Sequence, residues 1–419
     1  MSLDIRQACW LLRCTGFGAS PTEVARVRKL GAAAWLDEQL RAPLGEVAPP
    51  LVTRLPPGQI LTGAQLLGLI GWWMGRLAGG GGLREKMTLF WHGFFTSSID
   101  PVFSTGLLFC QNQLLRENAL GRFSDLLLKV SQDPAMLVYL DGFRNRPEHP
   151  NENYAREVME LFTTGPGNYS EEDLRQAARA FTGWELAWLE GGQFRSNPAH
   201  HDSSSKRFKE LRGQLDGEQI LHRLARDPAT GRHVCGRLWE FFCGQPTEQS
   251  ELQRLAAVFE SSHGNMAVVL KALFSGEAFQ ETGRGRQGLK SPVELCCEIY
   301  RILGRGYGLF EAKDLNSMGQ LPFMPPSVAG WRQGNGWVDT STLQARLDWI
   351  YRRVDKASGW RQRGQELIAG CKPAQAAERL LWHCHQQDAG PQLRAVLAQH
   401  YQQPEILQLV LASPEVQLK

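Results

Sequence analysis

The chain has 419 residues, 42% of them hydrophobic and 21% charged, enough to bury one large core or two medium ones. Its 46 Lys and Arg against 43 Asp and Glu leave a net charge of +3, too balanced to point to a nucleic-acid partner or an acidic membrane surface. The most apolar run, LLGLIGWWM at 66–74, is far short of the roughly 20 residues a membrane-spanning helix needs.

The chain opens with MSLDIRQACWLLRCTGFG, where an early Asp and the lack of a basic region make a poor signal peptide, so a cytoplasmic location is expected. Nine cysteines form no CxxC pair and read as reduced, mostly buried thiols. SPTEVARVRKLG begins with a capping box, Ser20 and Glu23, and with Pro21 at the first helical position. Helical runs follow in TGAQLLGLIGWWMGRL, LREKMTLFWHGFF, STGLLFCQNQLLRENAL and RFSDLLLKV, with GGGG at 79–82 as a flexible joint. Ser170 and Asp173 open SEEDLRQAARAFTGW in the same capping manner. The polar stretch from about Glu190 to Gln214 reads as a loop holding one short strand, GGQFRS. Helices resume at GEQILHRLA, GRLWEFFCG, SELQRLAAVFESS and MAVVLKALFSG, and a Pro/Gly/Trp loop spans 317–339. The pattern predicts an all-α, multi-helix globular bundle with long polar and Pro/Gly/Trp-rich loops. Residues 1–340 form the main helical domain of this reading, and 341–419 a C-terminal helical extension packed on it or following it.

Several segments, in order, resemble the bacterial domain-of-unknown-function family 1800. They are LLRCTGFGASPTEVARVRKLGAAAWLDEQL, KMTLFWHGFFTSS, QNQLLRENALGRFSDLLLKVSQDPAMLVYLDG, NENYAREVMELFTTGPGNYSEEDLRQAARAFTGW, HHDSSSK, KSPVE and GQLPFMPPSVAGW. The resemblance covers roughly residues 5 to 355 and implies no established activity. It implies that relatives are often exported, unlike the expectation for this chain, and that a sulfatase-like protein is a partner. Gly93-Phe94 follows Trp91-His92 where the family more usually reads Asn-His, which weakens a two-histidine metal reading.

The densest polar cluster is NENYAREVMELF. At about 100° per residue, Glu152, Asn153, Arg156, Glu157 and Glu160 share one half of the helical wheel. Tyr154, Ala155, Val158, Met159, Leu161 and Phe162 fill the other. The plain account is a solvated face with i,i+4 pairs. The alternative is a polar pocket in which Glu157 and Glu160 divide acid and base roles, or hold Ca²⁺ or Mg²⁺ as cofactor. Arg156 argues against a bare metal site, because it competes for the carboxylates and suits an anionic substrate group better. In HHDSSSK, His201 beside Asp202 reads as an auxiliary base and Lys206 as an anion holder; the plain account is a capped turn. Asn151, Asn153, Arg156, Arg179, Trp184 and Lys206 complete the expected substrate-binding set around catalytic Glu157, Glu160, His201 and Asp202. His92 is expected in the core. No P-loop or HExxH occurs. Two functions remain open: a hydrolase- or lyase-type enzyme acting on a polar, glycan-like substrate, and a non-catalytic interaction or scaffold protein whose Arg/Glu/Asn network is a structural clamp.

Overall fold

A computed structural model describes residues 3–45, 63–187, 192–285, 288–304, 312–356 and 360–419. Among them the chain forms 24 α-helices and two small antiparallel sheets, the all-α architecture that the helical periodicity predicts. Both expected capping boxes are formed: Ser20 with Glu23 opens the helix Pro21–Leu30, and Ser170 with Asp173 opens Glu171–Ala180. The same device starts helices at Asp4, Asp216 and Ser291. Among the described residues no helix is long and apolar enough to cross a membrane. All nine thiols are free, seven of them buried and two half-buried.

Three irregular segments are given definite form by the structure. GGGG is a tight turn between the helices Gly63–Ala78 and Gly82–Phe94, and a Cβ on Gly81 would stand 2.2 Å from Glu85 Cγ. The polar stretch holds more strand than expected. Strand β1 (Trp184–Ala187) pairs with β2 (Gln193–Ser196), and β3 (Lys206–Phe208) pairs with β4 (Leu211–Gly213). Strands of three or four residues are too short for alternation to reveal them. Glu190 and Gly191, at the expected start of that stretch, lie outside the described residues. The Pro/Gly/Trp loop acts as a brace. The Phe323 N–H donates to His92 Nε2 at 3.0 Å, its carbonyl accepts from the Ile99 N–H at 2.9 Å, and Thr96 Oγ1 donates to the Val328 carbonyl at 2.6 Å. His92 is therefore a core residue, packed against Trp73, Phe323 and Trp331, and burial pushes its imidazole down to about 3.

The core is apolar around an ionic centre. Arg13 forks onto both oxygens of Asp388 at 2.7 and 2.8 Å and stands 3.6 Å from Glu298. Glu298 also pairs with Lys290, whose ammonium donates to the Val416 carbonyl at 2.8 Å. Lys86 and Lys419 both meet Glu294, and against the cost of burial these two ammoniums pull its carboxyl down to about 2. Arg346 donates to the Lys290 carbonyl at 2.9 Å. These bonds tie helices from both ends of the chain to one buried point. Removing one partner of such a pair strands a charge away from water.

Candidate functional site

The helices Glu152–Glu160 and Glu171–Ala180 pack as a hairpin. The first is capped by Asn151, whose Oδ1 accepts from the Asn153 N–H at 2.9 Å, and it buries Tyr154, Ala155, Val158 and Met159. The second buries Leu174, Ala177, Ala178 and Ala180. Asn145, itself buried, joins the hairpin to the chain before it. Its Nδ2 donates to the Ala178 carbonyl at 2.8 Å and its Oδ1 accepts from the Asn151 N–H at 2.8 Å.

On the polar face Arg156 spans Glu152 and Glu171, each at 3.7 Å, with its side chain 40% exposed. Pairs so exposed contribute little. Tyr169 donates its hydroxyl to Glu160 Oε2 at 2.9 Å. Asn153 is exposed, and its Nδ2 reaches the Leu140 carbonyl at 3.4 Å. Glu157 differs from these neighbours, since its carboxylate accepts no hydrogen bond among the described residues. Burial first, and then the charge of Glu160, raise its pKa above the ordinary 4.5 despite Arg156. The same carboxylate, after burial, raises the phenol of Tyr139.

The HHDSSSK loop folds onto the C-terminal end of the helix Glu171–Ala180. A Cβ on Gly183, whose φ is +82°, would lie 2.7 Å from the Asn197 carbonyl oxygen, so only glycine lets the chain cross there. The Asp202 N–H donates to Thr182 Oγ1 at 2.8 Å, and His201 Nδ1 donates to the Thr182 carbonyl at 2.9 Å. Asp202 Oδ2 accepts from Arg179 Nε at 2.7 Å, while Oδ1 accepts from the Ser204 N–H at 2.9 Å and from the Ser204 hydroxyl. Against the cost of burial, Arg179 and Ser204 hold this carboxyl well below the usual range. The remaining Arg179 nitrogens reach Gln176, at 2.7 Å, and Ser204. Lys206 is buried and caps the Asp202 and Ser204 carbonyls. Trp184 is buried too, edge-on to Phe181 at 5.2 Å.

The sequence-derived residues thus fall into two groups. No hydrogen bond or ion pair among the described residues links Glu157 or Glu160 to His201, Asp202, Arg179 or Lys206. Eight residues at about 1.5 Å each separate Glu171, beside Arg156, from Arg179 by roughly 12 Å of helix. The His201 ring bonds to Thr182 and the Asp202 carboxylate to Arg179 and Ser204, so the two side chains do not form a dyad. Among the described residues no group of three or more His, Cys, Asp or Glu could hold a metal, so Ca²⁺ or Mg²⁺ finds no clustered ligand set there.

The neighbouring histidine is the one that meets a carboxylate. Glu185 on β1 lies opposite Arg195 on β2, which donates to it at 2.8 Å. Arg146 stands at 3.3 Å, Asn197 donates at 3.1 and 3.2 Å, and His200 Nδ1 donates to Oε1. Although burial opposes it, these donors, Arg195 first, pull Glu185 down to about 2. Nδ1 is engaged by Glu185, leaving Nε2 as the other ring nitrogen of a side chain that is 46% exposed. Glu185 and His200 escape the sequence reading because only the β1–β2 register brings them together. The one local signal is Asn197-Pro198, a cap and first position for the short turn Pro198–His200.

A family model described as protein of unknown function, DUF1800, matches residues 10–418. No curated protein and no solved structure matches the chain.

Proposed function

The chain belongs to the DUF1800 family, and from that premise we propose that it is a non-catalytic interaction protein, a helical scaffold whose Arg, Glu and Asn network is a structural clamp. The observation that carries this reading is the saturation of the Arg179–Asp202 pair. Each Asp202 oxygen has its donor, and the Arg179 nitrogens reach Asp202, Gln176 and Ser204. Lys206, Asn145 and Asn151 likewise spend their donors on backbone carbonyls. Groups so engaged hold the loop and the two hairpins on the helical body and have little left for a substrate. The partner class that fits is the sulfatase-like protein implied by the family resemblance. The test mixes the purified chain with that protein and measures complex formation by size-exclusion chromatography with light scattering. A stable complex that survives Glu157→Gln and His201→Ala is expected. Failure to form a complex at micromolar concentrations would count against the scaffold.

A second reading, a hydrolase- or lyase-type enzyme on a polar, glycan-like substrate, draws on Glu157 and on His200. Glu157 is half-buried with a raised pKa, and His200 is held through Nδ1 by Glu185 on a half-exposed ring. Turnover of a glycan panel that disappears in both Glu157→Gln and His200→Ala would favour this reading over the scaffold.

A further inference from the structure

An open cleft of about 650 Å³ lies away from both polar groups described above, where the helices Phe123–Ser131, Gly217–Ala225 and Gln249–Ser261 come together. That volume is within the range of small-molecule sites. Four cationic or imidazole side chains line it: Arg122, His222, Arg226 and His263. All four are exposed, and none makes a side-chain hydrogen bond or ion pair among the described residues. Arg122 is the N-cap residue of its helix, yet its side chain makes no capping bond and is left to the cleft.

The backbone that carries these groups is firmly held. Arg122 and Asn265 form an antiparallel bridge, with the Phe123 N–H donating to the Gly264 carbonyl at 2.9 Å and the Met266 N–H to the Gly121 carbonyl at 2.9 Å. His263 is left-handed at φ 52°, fixed by its N–H to the Glu260 carbonyl at 3.0 Å. Phe259 and Gly264 supply a buried apolar lining, where a Cβ on Gly264 would stand 3.2 Å from Phe123 Cβ. Opposite, Arg223 pairs with Asp227 at 3.0 Å and secures the turn that presents Arg226.

The charges define what fits. Asp227 also lines the cleft, but Lys209 at 2.9 Å, Arg223 and the Ala229 N–H already occupy it. Asp125, which accepts from the Ser124 hydroxyl at 3.2 Å, and Glu260 make no ion pair among the described residues, so neither is bonded to Arg122 or Arg226. Two guanidiniums brought to one cleft repel each other until an anion joins them. Guanidinium forks match the oxygens of a tetrahedral oxyanion, and carboxylates accept hydrogen bonds from hydroxyls. We propose that this cleft binds a small hydroxyl-bearing oxyanion ester, a phosphate or sulfate ester of a sugar-like polyol. Arg122 and Arg226 take the oxyanion, His222 and His263 flank it, and Asp125 and Glu260 accept the hydroxyls.

Isothermal titration of the full chain with hexose 6-phosphate, hexose 6-sulfate, free hexose and inorganic phosphate tests this. One of the two esters binds saturably and more tightly than inorganic phosphate or free hexose, and the tighter ester identifies which oxyanion the cleft takes. Arg122→Ala and Arg226→Ala each weaken that ester by about tenfold or more, the loss expected for a charged hydrogen-bonding pair. Their melting temperatures stay at the wild-type value, because both side chains are exposed and unbonded. Arg226→Gln repeats the measurement with the charge removed and the Cβ–Cδ stem and a polar end kept. Absence of saturable ester binding, affinity no better than inorganic phosphate, or affinity unchanged in the arginine variants overturns the proposal.

Discussion

Glu157 shares its helix face with Glu160 and is only half-buried, so its raised pKa reflects lost hydration reinforced by a like charge. The sign of its effect on stability follows. Its folded pKa lies above the ordinary 4.5, so the unfolded chain gives up this proton first. The resulting destabilisation is absent below pH 4.5 and present once pH rises past the folded value. Glu157→Gln removes the charge and keeps the shape. It is expected to raise the melting temperature at pH 8 by about 1 °C and to leave it unchanged below pH 4. Equal shifts at both pH values in differential scanning calorimetry would mean that charge is not the cause. That Glu157 carries a charged, partly wet face is legible in the helical spacing of NENYARE. Its lack of a bonding partner is not, because Tyr169 comes from the following turn and takes Glu160 instead.

At the scale of elements, the Arg179–Asp202 clamp joins the end of one helix to a loop 23 residues later. Asp202→Asn leaves Arg179 without its counter-charge and is expected to cost about 1–3 kcal/mol in urea unfolding. The double variant with Arg179→Ala should lose less than the sum of the single losses, since the two side chains share one interaction. Strict additivity would show that they act independently. The helices themselves were readable, from caps at Ser20 and Ser170 and from apolar spacing. The pairing of His200 with Glu185 was not, because it depends on β1 and β2 lying in a register that four-residue strands do not advertise. The cleft was equally invisible: Arg122, His222, Arg226 and His263 are scattered over more than a hundred positions, and only packing of three helices assembles them.

For the whole molecule, the buried ionic centre joins the two ends of the chain. Asp388 belongs to the region 341–419 and its partner Arg13 to the first helix, both nearly fully buried. Asp388→Ala leaves buried Arg13 with only Glu298 at 3.6 Å, already paired with Lys290, and is expected to cost about 3–5 kcal/mol. We propose that residues 1–340 and 341–419 unfold together through this contact, so the variant should melt in one transition at a lower temperature. Two separated transitions in calorimetry, with only the later part of the chain shifted, would show instead that the extension is independent.

Composition, capping boxes and 3.6-residue periodicity were sufficient to determine an all-α chain, and the ordered motifs were sufficient to assign the family, because these signals are local and repeat along the chain. Which polar residues meet was decided only by the tertiary structure. Hydrogen bonds and ion pairs act over a few ångströms between atoms whose separation in sequence carries no information. NENYARE and HHDSSSK are therefore both conspicuous as text, yet no hydrogen bond or ion pair among the described residues joins Glu157 or Glu160 to His201 or Asp202, while the unpartnered arginines that face a common cleft bear no mark in the sequence at all.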